Sequence, residues 1–387
     1  MIAIGLMSLA TLLLIAHLAA TGLFLARLRR PVPPVGVIGT PRITLLRPVC
    51  GLDPFDEETL RSSFHQDYPA YDVIFCAQSW CDPAVALVQR LIAEHPETPA
   101  QLLVGYDAVT ANPKLNNVWK GWQAAQTEWI CMTDSNILLP NDYLSIIVGS
   151  WGPSTGLVSS PPVGIRPMGF AAHLECAFLN SNQAVLQFAS ASLGLAFAQG
   201  KTLFFNRPLL EHCGGLCALG MYLAEDVTAT RLIREMGREV TLTPLPFAQP
   251  IGQRTLREVW DRQLRWSRVR RDGFPVIFAT EVLNGGLVPF GLVTMACLLG
   301  GSDLIWAVGY VGLWYLSEIF VAKRAGWPMG VQDLAGLVLR DLVLPLLWIA
   351  TFLRRGFEWR GTQMAPPDQR TTGASVPPAT PSILSAE

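Results

Sequence analysis

A long uncharged stretch at the amino terminus constrains the fold more than any other feature of this sequence. Residues Ile2 to Ala26 carry no charged side chain, and a helix of 25 residues is longer than the roughly 30 Å hydrocarbon core of a bilayer. The basic residues Arg27, Arg29 and Arg30 follow this stretch, whereas a cleaved signal peptide carries its basic residues in front of a shorter apolar run. We therefore predict a retained transmembrane anchor over residues 1–30. Because a basic flank marks the cytoplasmic side, the following domain is expected in the cytoplasm.

The composition agrees with a protein that lies partly in lipid. Hydrophobic residues make up 50% of the 387 residues and charged residues 15%, whereas soluble domains carry about 25% charged residues. These proportions exclude a disordered chain, a collagen, a coiled coil and a small disulfide scaffold. The net charge of −1 provides no general attraction to nucleic acid, so we expect no nucleic-acid partner.

Residues 31–250 begin with a proline-rich spacer and then alternate short apolar runs with helical segments. The predicted strands are Arg42–Arg47, Tyr71–Ala77, Gln101–Gly105 and Trp129–Thr133, and the predicted helices are Glu57–Gln66, Pro83–Glu94 and Leu115–Gln126. This alternation predicts an α/β domain with a mostly parallel sheet. The ligand crevice of such a domain lies beyond the carboxyl ends of its strands, so the residues just after each strand are candidate site residues.

Apolar segments return near the carboxyl terminus. Residues 276–355 are predicted to hold the C-terminal membrane segments, beginning with a hairpin of two spans at Val282–Gly300 and Leu304–Ala322. The second of these spans is interrupted by Glu318. Because the chain then returns toward its starting side, the hairpin leaves the next segment on the cytoplasmic side.

A further apolar segment, Leu334–Leu353, carries Arg340 and Asp341 in its middle. Each of these charges costs about 3 kcal/mol at the centre of a membrane helix. The sequence therefore favours a re-entrant or interfacial segment here over another span. Residues 356–387, which are rich in Pro, Ser and Thr, are predicted to form a disordered tail.

Two acidic positions lie where a ligand crevice is expected. Asp134 directly follows the strand Trp129–Thr133 and has the hard oxygen ligands that Mg²⁺ or Mn²⁺ prefers, although Asp-Ser-Asn is also a common turn sequence. Asp226 and Glu225 precede the helical stretch Val227–Met236. One of these two carboxylates is suited to act as a general base, and the alternative is simple charge complementarity at a helix start.

Two basic segments complete the set of candidate residues. Lys114 and Asn116 lie in a polar sequence that opens a helix, which is typical of an anion site but equally of a capped loop. Residues 251–275 contain seven arginines between Arg254 and Arg271, with apolar residues and tryptophan on one arc of a helix. Such a helix is typical of a membrane interface or of a solvated surface, and its guanidinium groups are suited to hold a diphosphate.

The order of these signals resembles one class of enzyme. Asp82, Asp134, Asp226 and the run Arg262-Gln263-Leu264-Arg265-Trp266 resemble the D, D, D, (Q/R)xxRW series of inverting membrane glycosyltransferases with the GT-A fold. Five segments within roughly residues 1–325 resemble the ceramide glucosyltransferase family more closely: Leu46–Gly51, Cys81–Ala84, Asn112–Asn117, Gly169–Ala172 and Ala224–Asp226. The resemblance implies a Rossmann-like GT-A domain with a mostly parallel sheet over residues 31–250, followed by the basic interfacial helix at 251–275.

The resemblance also implies residue roles. Asp226 would be the catalytic base, while Arg265, Trp266 and Arg262 would hold the leaving diphosphate and shape the acceptor site. Asp134 would hold a divalent cation, Mg²⁺ or Mn²⁺, on the donor diphosphate. The remaining donor-binding residues would be Asp82, Lys114, Asn116 and Pro48.

The implied reaction is the transfer of a hexose, glucose first, from a UDP-sugar to the hydroxyl of a membrane lipid with inversion. Ceramide is the expected acceptor, and diacylglycerol or a hopanoid lipid is the alternative. A processive polysaccharide synthase shares the aspartates but needs a channel, and a catalytically dead membrane scaffold is a third possibility. The expected location is a bacterial inner membrane, with the catalytic domain facing the cytoplasm.

This chain departs from the family pattern in two places. Ser79, Trp80 and Cys81 precede Asp82, so only one carboxylate is available where many relatives have two. Residues 180–183, Asn-Ser-Asn-Gln, stand in the segment where animal ceramide enzymes have a histidine. The second departure concerns the part of the pattern that bears on the acceptor lipid.

Overall fold

A mixed sheet flanked by helices forms the centre of the molecule, and apolar helices pack beside it. The computed structural model describes residues 1–29, 37–221 and 224–353, together with the backbones of 357–359 and 362–364. Most of the proline-rich spacer and most of the predicted disordered tail lie outside these residues. Within the tail, the two short described segments pair as an antiparallel hairpin.

The strands are β1 (Ile43–Pro48), β2 (Tyr71–Ala77), β3 (Ala100–Val104), β4 (Trp129–Thr133), β5 (Thr155–Ser159), β6 (Pro162–Met168), β7 (Thr202–Asn206), β8 (Glu239–Leu242), β9 (Phe247–Gln253), β10 (Phe357–Trp359) and β11 (Thr362–Met364). The helices are α1 (Ile2–Arg27), α2 (Asp56–Arg61), α3 (Pro83–Glu94), α4 (Pro113–Ala124), α5 (Tyr143–Gly149), α6 (Phe170–Ala177), α7 (Val185–Ser192), α8 (Arg207–Glu211), α9 (Gly215–Leu219), α10 (Glu225–Glu235), α11 (Leu256–Gly273), α12 (Pro275–Ala279), α13 (Leu287–Gly300), α14 (Ile305–Ala325) and α15 (Val331–Leu353). A π-helical turn at Phe178–Ala184 joins α6 to α7.

The main sheet has seven strands in the order β3-β2-β1-β4-β7-β5-β8. Strands β1 to β4 are parallel to one another, as the sequence predicts, and their bounds agree with the predicted ones to within one residue. Strand β7 runs antiparallel to β4 and β5. The carboxyl end of β4 therefore lies beside the amino end of β7, with Thr133 opposite Thr202.

The anchor helix α1 is tied to the sheet domain at its carboxyl end. Arg27 is buried, and its Nη2 donates to the carbonyl oxygens of Leu242 at 2.7 Å and Thr243 at 2.9 Å, at the end of β8. The guanidinium also lies over the ring of Phe188 in α7. The basic flank that the sequence places after the anchor thus begins with a residue that fixes the helix to the domain.

A second, two-stranded parallel sheet of β6 and β9 packs on α6. Helix α15 in turn packs along α6 and α11, and α1 packs against α13, α7 and α14. The apolar helices therefore form one layer with α6, α7 and α11 on the side of the domain away from α3. The exposed side of α15 carries Leu334, Val338, Leu342, Leu346 and Ile349.

Three described helices are long and apolar enough to cross a membrane: α1, α14 and α15. At the predicted span Val282–Gly300 the chain bends by 51° between the segment 275–283 and α13, so the span stays a prediction. Helix α13 has 14 residues, fewer than the roughly 20 that a spanning helix needs. The bent pair is either one broken span or a re-entrant segment.

The segment predicted to be re-entrant or interfacial, Leu334–Leu353, forms one helix, α15, of 23 residues, and its placement in the membrane stays a prediction. Arg340 and Asp341 do not face lipid. They are buried against Glu318 of α14, and both Nη atoms of Arg340 lie 3.0 Å from the Glu318 carboxylate. The charges that argue against a membrane helix in the sequence are thus paired inside the helix layer, which removes most of their cost.

Candidate active site

The centre of the candidate site is Asp134, at the carboxyl end of β4. Its Oδ1 lies 2.7 Å from Lys114 Nζ and its Oδ2 lies 3.0 Å from Lys201 Nζ. Burial alone would raise the pKa of Asp134, but the two ammonium groups hold it well below its usual value. Asp134 is therefore ionised at neutral pH and shared by two cations.

Lys114 joins this aspartate to the start of α10. The Asn112 side chain caps α4 by accepting from the Lys114 backbone N–H, which fixes the first turn of the helix. Lys114 Nζ lies 2.8 Å from Glu225 Oε1 and donates to the Gly200 carbonyl at 2.6 Å. Burial opposes the charge on Lys114, but Asp134 and Glu225 outweigh it and hold its pKa above the usual value.

The adjacent carboxylates Glu225 and Asp226 have different surroundings. Glu225 accepts from Lys114 and, at 2.9 Å, from the side-chain amide of Asn112, so its charge is neutralised locally. Among the described residues no cation lies within ion-pair distance of Asp226, which accepts from the backbone N–H groups of Gly200 at 3.0 Å and Val227 at 2.8 Å. Burial and the neighbouring charge of Glu225 raise the pKa of Asp226 to about 6.

Gly200 allows these groups to approach one another. A Cβ at this position would lie 2.7 Å from Glu225 Oε1 and 3.6 Å from Asp226 Oδ2, so any side chain here would push the carboxylates away. The Gly200 carbonyl and N–H bind Lys114 and Asp226 respectively. The close packing around this backbone segment depends on glycine.

Two further residues of this centre, Lys201 and Arg47, were not predicted as site residues from the sequence. Lys201 lies immediately before β7, and its Nζ also donates to Asn136 Oδ1 at 2.9 Å. Burial lowers the pKa of Lys201, with Asp134 opposing the effect and the positive charge of Arg262 adding to it. Arg47 is fully buried. Its guanidinium donates to the carbonyls of Ser135 and Ile137 and so holds the turn after Asp134. Only the antiparallel pairing of β7 with β4 brings Lys201 to this turn.

Other predicted donor-binding residues lie along the same edge of the sheet but outside this centre. Asp82 caps α3 through the Ala84 N–H and also accepts from the Gly51 N–H at 2.9 Å. Asp82 follows β2, and β1 lies between β2 and β4, so one strand separates the loop of Asp82 from that of Asp134 along the sheet edge. The structure thus brings Asp134 and Asp226 together through Lys114 and leaves the third aspartate beside them, without a described contact.

Pro48 and Asn116 hold neighbouring backbone. Pro48 is the last residue of β1, opposite Cys76 of β2. Asn116 is buried in α4, where it accepts from the Thr110 N–H at 2.8 Å and donates to the Tyr106 hydroxyl at 2.9 Å. Asn116 therefore orders the loop after β3, which borders the same sheet edge.

The basic segment around helix α11 is fixed to α6 by two of its arginines. Arg262 is paired with Glu175 of α6, a carboxylate with 0% exposure, and Arg254 Nε lies 3.7 Å from the other oxygen of Glu175. Trp266 packs on the apolar cluster of α6 and β9. Arg265 follows Arg262 by one helical turn on α11. Sequence reasoning missed Glu175, whose role depends on packing between α6 and α11.

Replacing Glu175 with glutamine is expected to lower the stability of the domain by about 3 kcal/mol, because Arg262 and Arg254 lose the buried carboxylate that they share. The measurement is the apparent melting temperature of the purified chain in detergent, followed by tryptophan fluorescence. Glu58→Gln is the matched control, since Glu58 pairs with Arg166 at the surface, where such pairs contribute about 0–1 kcal/mol. Equal melting temperatures for the two variants would contradict this prediction.

A divalent cation fits the residues at Asp134 when a donor supplies further ligands. Among the described residues, no group of three His, Cys, Asp or Glu side chains is arranged to hold a metal. Mg²⁺ is commonly held by one or two carboxylates together with phosphate oxygens and water. The single Asp134 carboxylate, at the edge where a diphosphate would lie, meets that requirement.

The fold and the acidic centre at the carboxyl edge of the sheet define the class of the protein as a GT-A glycosyltransferase. Among solved structures, the mannosyltransferase PcManGT from Pyrobaculum calidifontis, in complex with GDP-Man and Mn²⁺, matches with a TM-score of 0.50 and 21% identity. The match covers 90% of this chain and 98% of that chain. The predicted GT-A fold is confirmed.

The sequence defines the family more narrowly. The sequence model of glycosyl transferase family 21 matches residues 2–370, and the chain belongs to this family. It is 26% identical over 319 residues to ceramide glucosyltransferase 1 of Caenorhabditis elegans, across 82% of this chain. It is 27% identical over 363 residues to the ceramide glucosyltransferase of Komagataella phaffii, across 79% of this chain. The predicted likeness to ceramide glucosyltransferases is confirmed, and the chain spans 66% and 67% of the lengths of these two relatives.

Proposed function

We propose that this protein is an inverting glycosyltransferase that moves a hexose, glucose first, from a UDP-sugar to the primary hydroxyl of ceramide. The observation that carries the proposal is the meeting of an ionised Asp134, two lysines and the carboxylate of Asp226 at one sheet edge. Membership of glycosyl transferase family 21 and the ceramide glucosyltransferase relatives support the reaction and the acceptor.

Asp226 is the proposed general base. A general base must be ionised at working pH and must not be paired with a cation. Asp226 meets both requirements among the described residues, whereas Glu225 is paired with Lys114. As the acceptor oxygen attacks the anomeric carbon, an Asp226 oxygen takes its proton. The bond to the UDP oxygen breaks in the same step, and a single displacement of this kind inverts the anomeric configuration.

The departing diphosphate gains negative charge as this bond breaks, so cations near it lower the barrier. Lys114 and Arg265 are the proposed donors of positive charge from the chain, while Arg262 and Trp266 fix α11 against α6. A divalent cation held by Asp134 would, when bound, neutralise charge on the same diphosphate. Pro48, Asp82 and Asn116 border the adjoining part of the edge, where the nucleoside is proposed to bind.

The acceptor is proposed to reach the site from the membrane side. Exposed apolar side chains lie at the starts of α6 and α11 and on α12: Met168, Phe170, Leu256, Val276 and Ile277. Apolar residues beside basic ones on such elements are typical of a membrane interface. They would place the crevice at headgroup depth, where a lipid hydroxyl lies. The domain would then lie on the cytoplasmic side of a bacterial inner membrane.

The rate of transfer is expected to rise with pH through about 6 and then level off. Burial and the charge of Glu225 raise the pKa of Asp226 to about 6, so below this value the base carries a proton and cannot accept another. The measurement is kcat between pH 5 and pH 8 at saturating donor and acceptor. Glu225→Gln removes the neighbouring negative charge, so its profile should shift to lower pH, and an unshifted profile would assign the titration to another group.

The decisive test of the proposed function uses the full chain reconstituted in lipid nanodiscs. UDP-glucose with Mg²⁺ or Mn²⁺ is added to discs that contain ceramide, diacylglycerol or neither, and the lipids are analysed by mass spectrometry. We expect glucosylceramide only in the ceramide discs, and none from Asp134→Asn. Product in diacylglycerol discs alone would replace the acceptor, a long glucan would indicate a polysaccharide synthase, and absence of any product with bound UDP-glucose would indicate a catalytically inactive chain.

A further inference from the structure

Lys201 is the strongest unassigned feature of the site. Its backbone is fixed, because the Asp134 N–H donates to the Lys201 carbonyl at 3.1 Å and the next residue pairs with Thr133 across β7 and β4. Its ammonium therefore occupies a defined place at the carboxyl edge of the sheet, 3.0 Å from Asp134 Oδ2. We propose that Lys201 binds the diphosphate of the sugar nucleotide directly, an inference that rests on the proposed function.

The charges around Lys201 support a role beyond pairing with Asp134. Lys114 has two carboxylate partners, Asp134 and Glu225. Lys201 pairs with Asp134, which it shares with Lys114. Its other described partner is the neutral amide oxygen of Asn136. The Lys201 side chain is 15% exposed, so solvent compensates little of its charge. A buried cation that shares its counter-ion with a second cation attracts a further anion. A lysine ammonium binds phosphate as a compact positive charge.

The same geometry gives Lys201 a second measurable effect. A divalent cation held by Asp134 would share that carboxylate with Lys201, so without donor the lysine would compete with the metal. Loss of Lys201 therefore strengthens the binding of metal alone and weakens the binding of UDP.

The experiment measures UDP binding to the full chain in nanodiscs by equilibrium dialysis with EDTA present, and uridine is the probe without phosphates. We expect Lys201→Met to weaken UDP binding about tenfold or more, a change typical of losing one charge-assisted contact, and to leave uridine binding unchanged. Lys201→Arg should retain most of the affinity. Lys323→Met is the control for loss of a lysine, since Lys323 lies at the exposed end of α14.

Binding of Mn²⁺ alone is measured by electron paramagnetic resonance on separate samples of the same variants, prepared without EDTA. Tighter Mn²⁺ binding by Lys201→Met, together with weaker UDP binding, supports the proposal. UDP binding equal to that of the unmodified chain overturns it and leaves the proposed function intact, and an equal loss of UDP and uridine binding assigns Lys201 a structural role and also overturns it. If the unmodified chain binds no UDP even with Mn²⁺, the proposed function fails and this inference fails with it.

Discussion

Asp226→Asn is expected to lower kcat for lipid glycosylation by about a thousandfold, within the range of about 10²–10⁴ that general-base catalysis contributes. The asparagine has nearly the same shape and can still accept from the Gly200 N–H, so the turn that carries it should keep its form. The amide cannot take the proton of the acceptor hydroxyl. The loss should therefore appear in kcat, measured by release of UDP in nanodiscs, while the affinity for UDP changes little.

The matched control for this variant is Glu225→Gln, one residue earlier on the same helix. Lys114 and Asn112 donate to different oxygens of Glu225, so glutamine keeps one of these two contacts and the size of the side chain while one negative charge is lost. We expect a smaller fall in kcat and a change in donor affinity, because Lys114 loses part of its counter-charge. Should Glu225→Gln lose more turnover than Asp226→Asn, the base would be Glu225. If Asp226→Asn retains more than a tenth of the normal turnover, Asp226 is not the base, and the rise in rate with pH does not report its titration.

The sheet could be predicted from the sequence because its strands are local features. Each of β1 to β4 is a short apolar run between turn residues, and the helices after β2 and β3 begin with proline behind a capping Asp82 or Asn112. These signals require only neighbouring residues. Strand β7 carries no comparable signal of direction, and its antiparallel insertion between β4 and β5 depends on how the whole sheet assembles.

The same distinction separates the site residues that could be predicted from those that could not. Asp134, Lys114 and Asp226 follow strands or open helices, so a parallel sheet already places them at one edge. Lys201 reaches that edge only through the reversed direction of β7, and Glu175 reaches Arg262 only through the packing of α6 against α11. Interactions between residues 65 and 87 positions apart leave no periodic pattern in a single sequence.

In the apolar helices, the sequence showed charges but not their partners. A cost of about 3 kcal/mol for each charge in a membrane helix assumes that the charge faces lipid. Arg340 and Glu318 lie on different helices, and their pairing depends on how α15 packs against α14. The π-helical turn adds Ser181 as a third group on the same guanidinium. The segment that the sequence disfavours as a membrane span is therefore a helix that packs closely on its neighbours.

Arg340→Met is expected to prevent the chain from folding stably in a membrane. Arg340 is 1% exposed and donates to both oxygens of Glu318, and to Asp341 Oδ1 at 2.7 Å. Removing the guanidinium leaves two carboxylates buried together without a cation. Breaking a buried pair in this way costs about 3–5 kcal/mol, a large part of the stability of an ordinary domain. The measurement is the fraction of a fluorescent fusion that elutes as a single sharp peak in size-exclusion chromatography after detergent extraction.

A triple variant tests whether the charges or the shape of the site cause this loss. Arg340→Met combined with Glu318→Gln and Asp341→Asn removes all three charges, and replacing a whole buried ionic group by neutral side chains is often close to neutral in stability. We expect this variant to recover most of the folded peak that Arg340→Met loses. Recovery would show that the three charges mainly neutralise one another, and that the helix layer needs their balance more than the charges themselves. A normal peak for Arg340→Met would mean that the two carboxylates find water or protons, and that α15 is held to α14 by apolar packing instead.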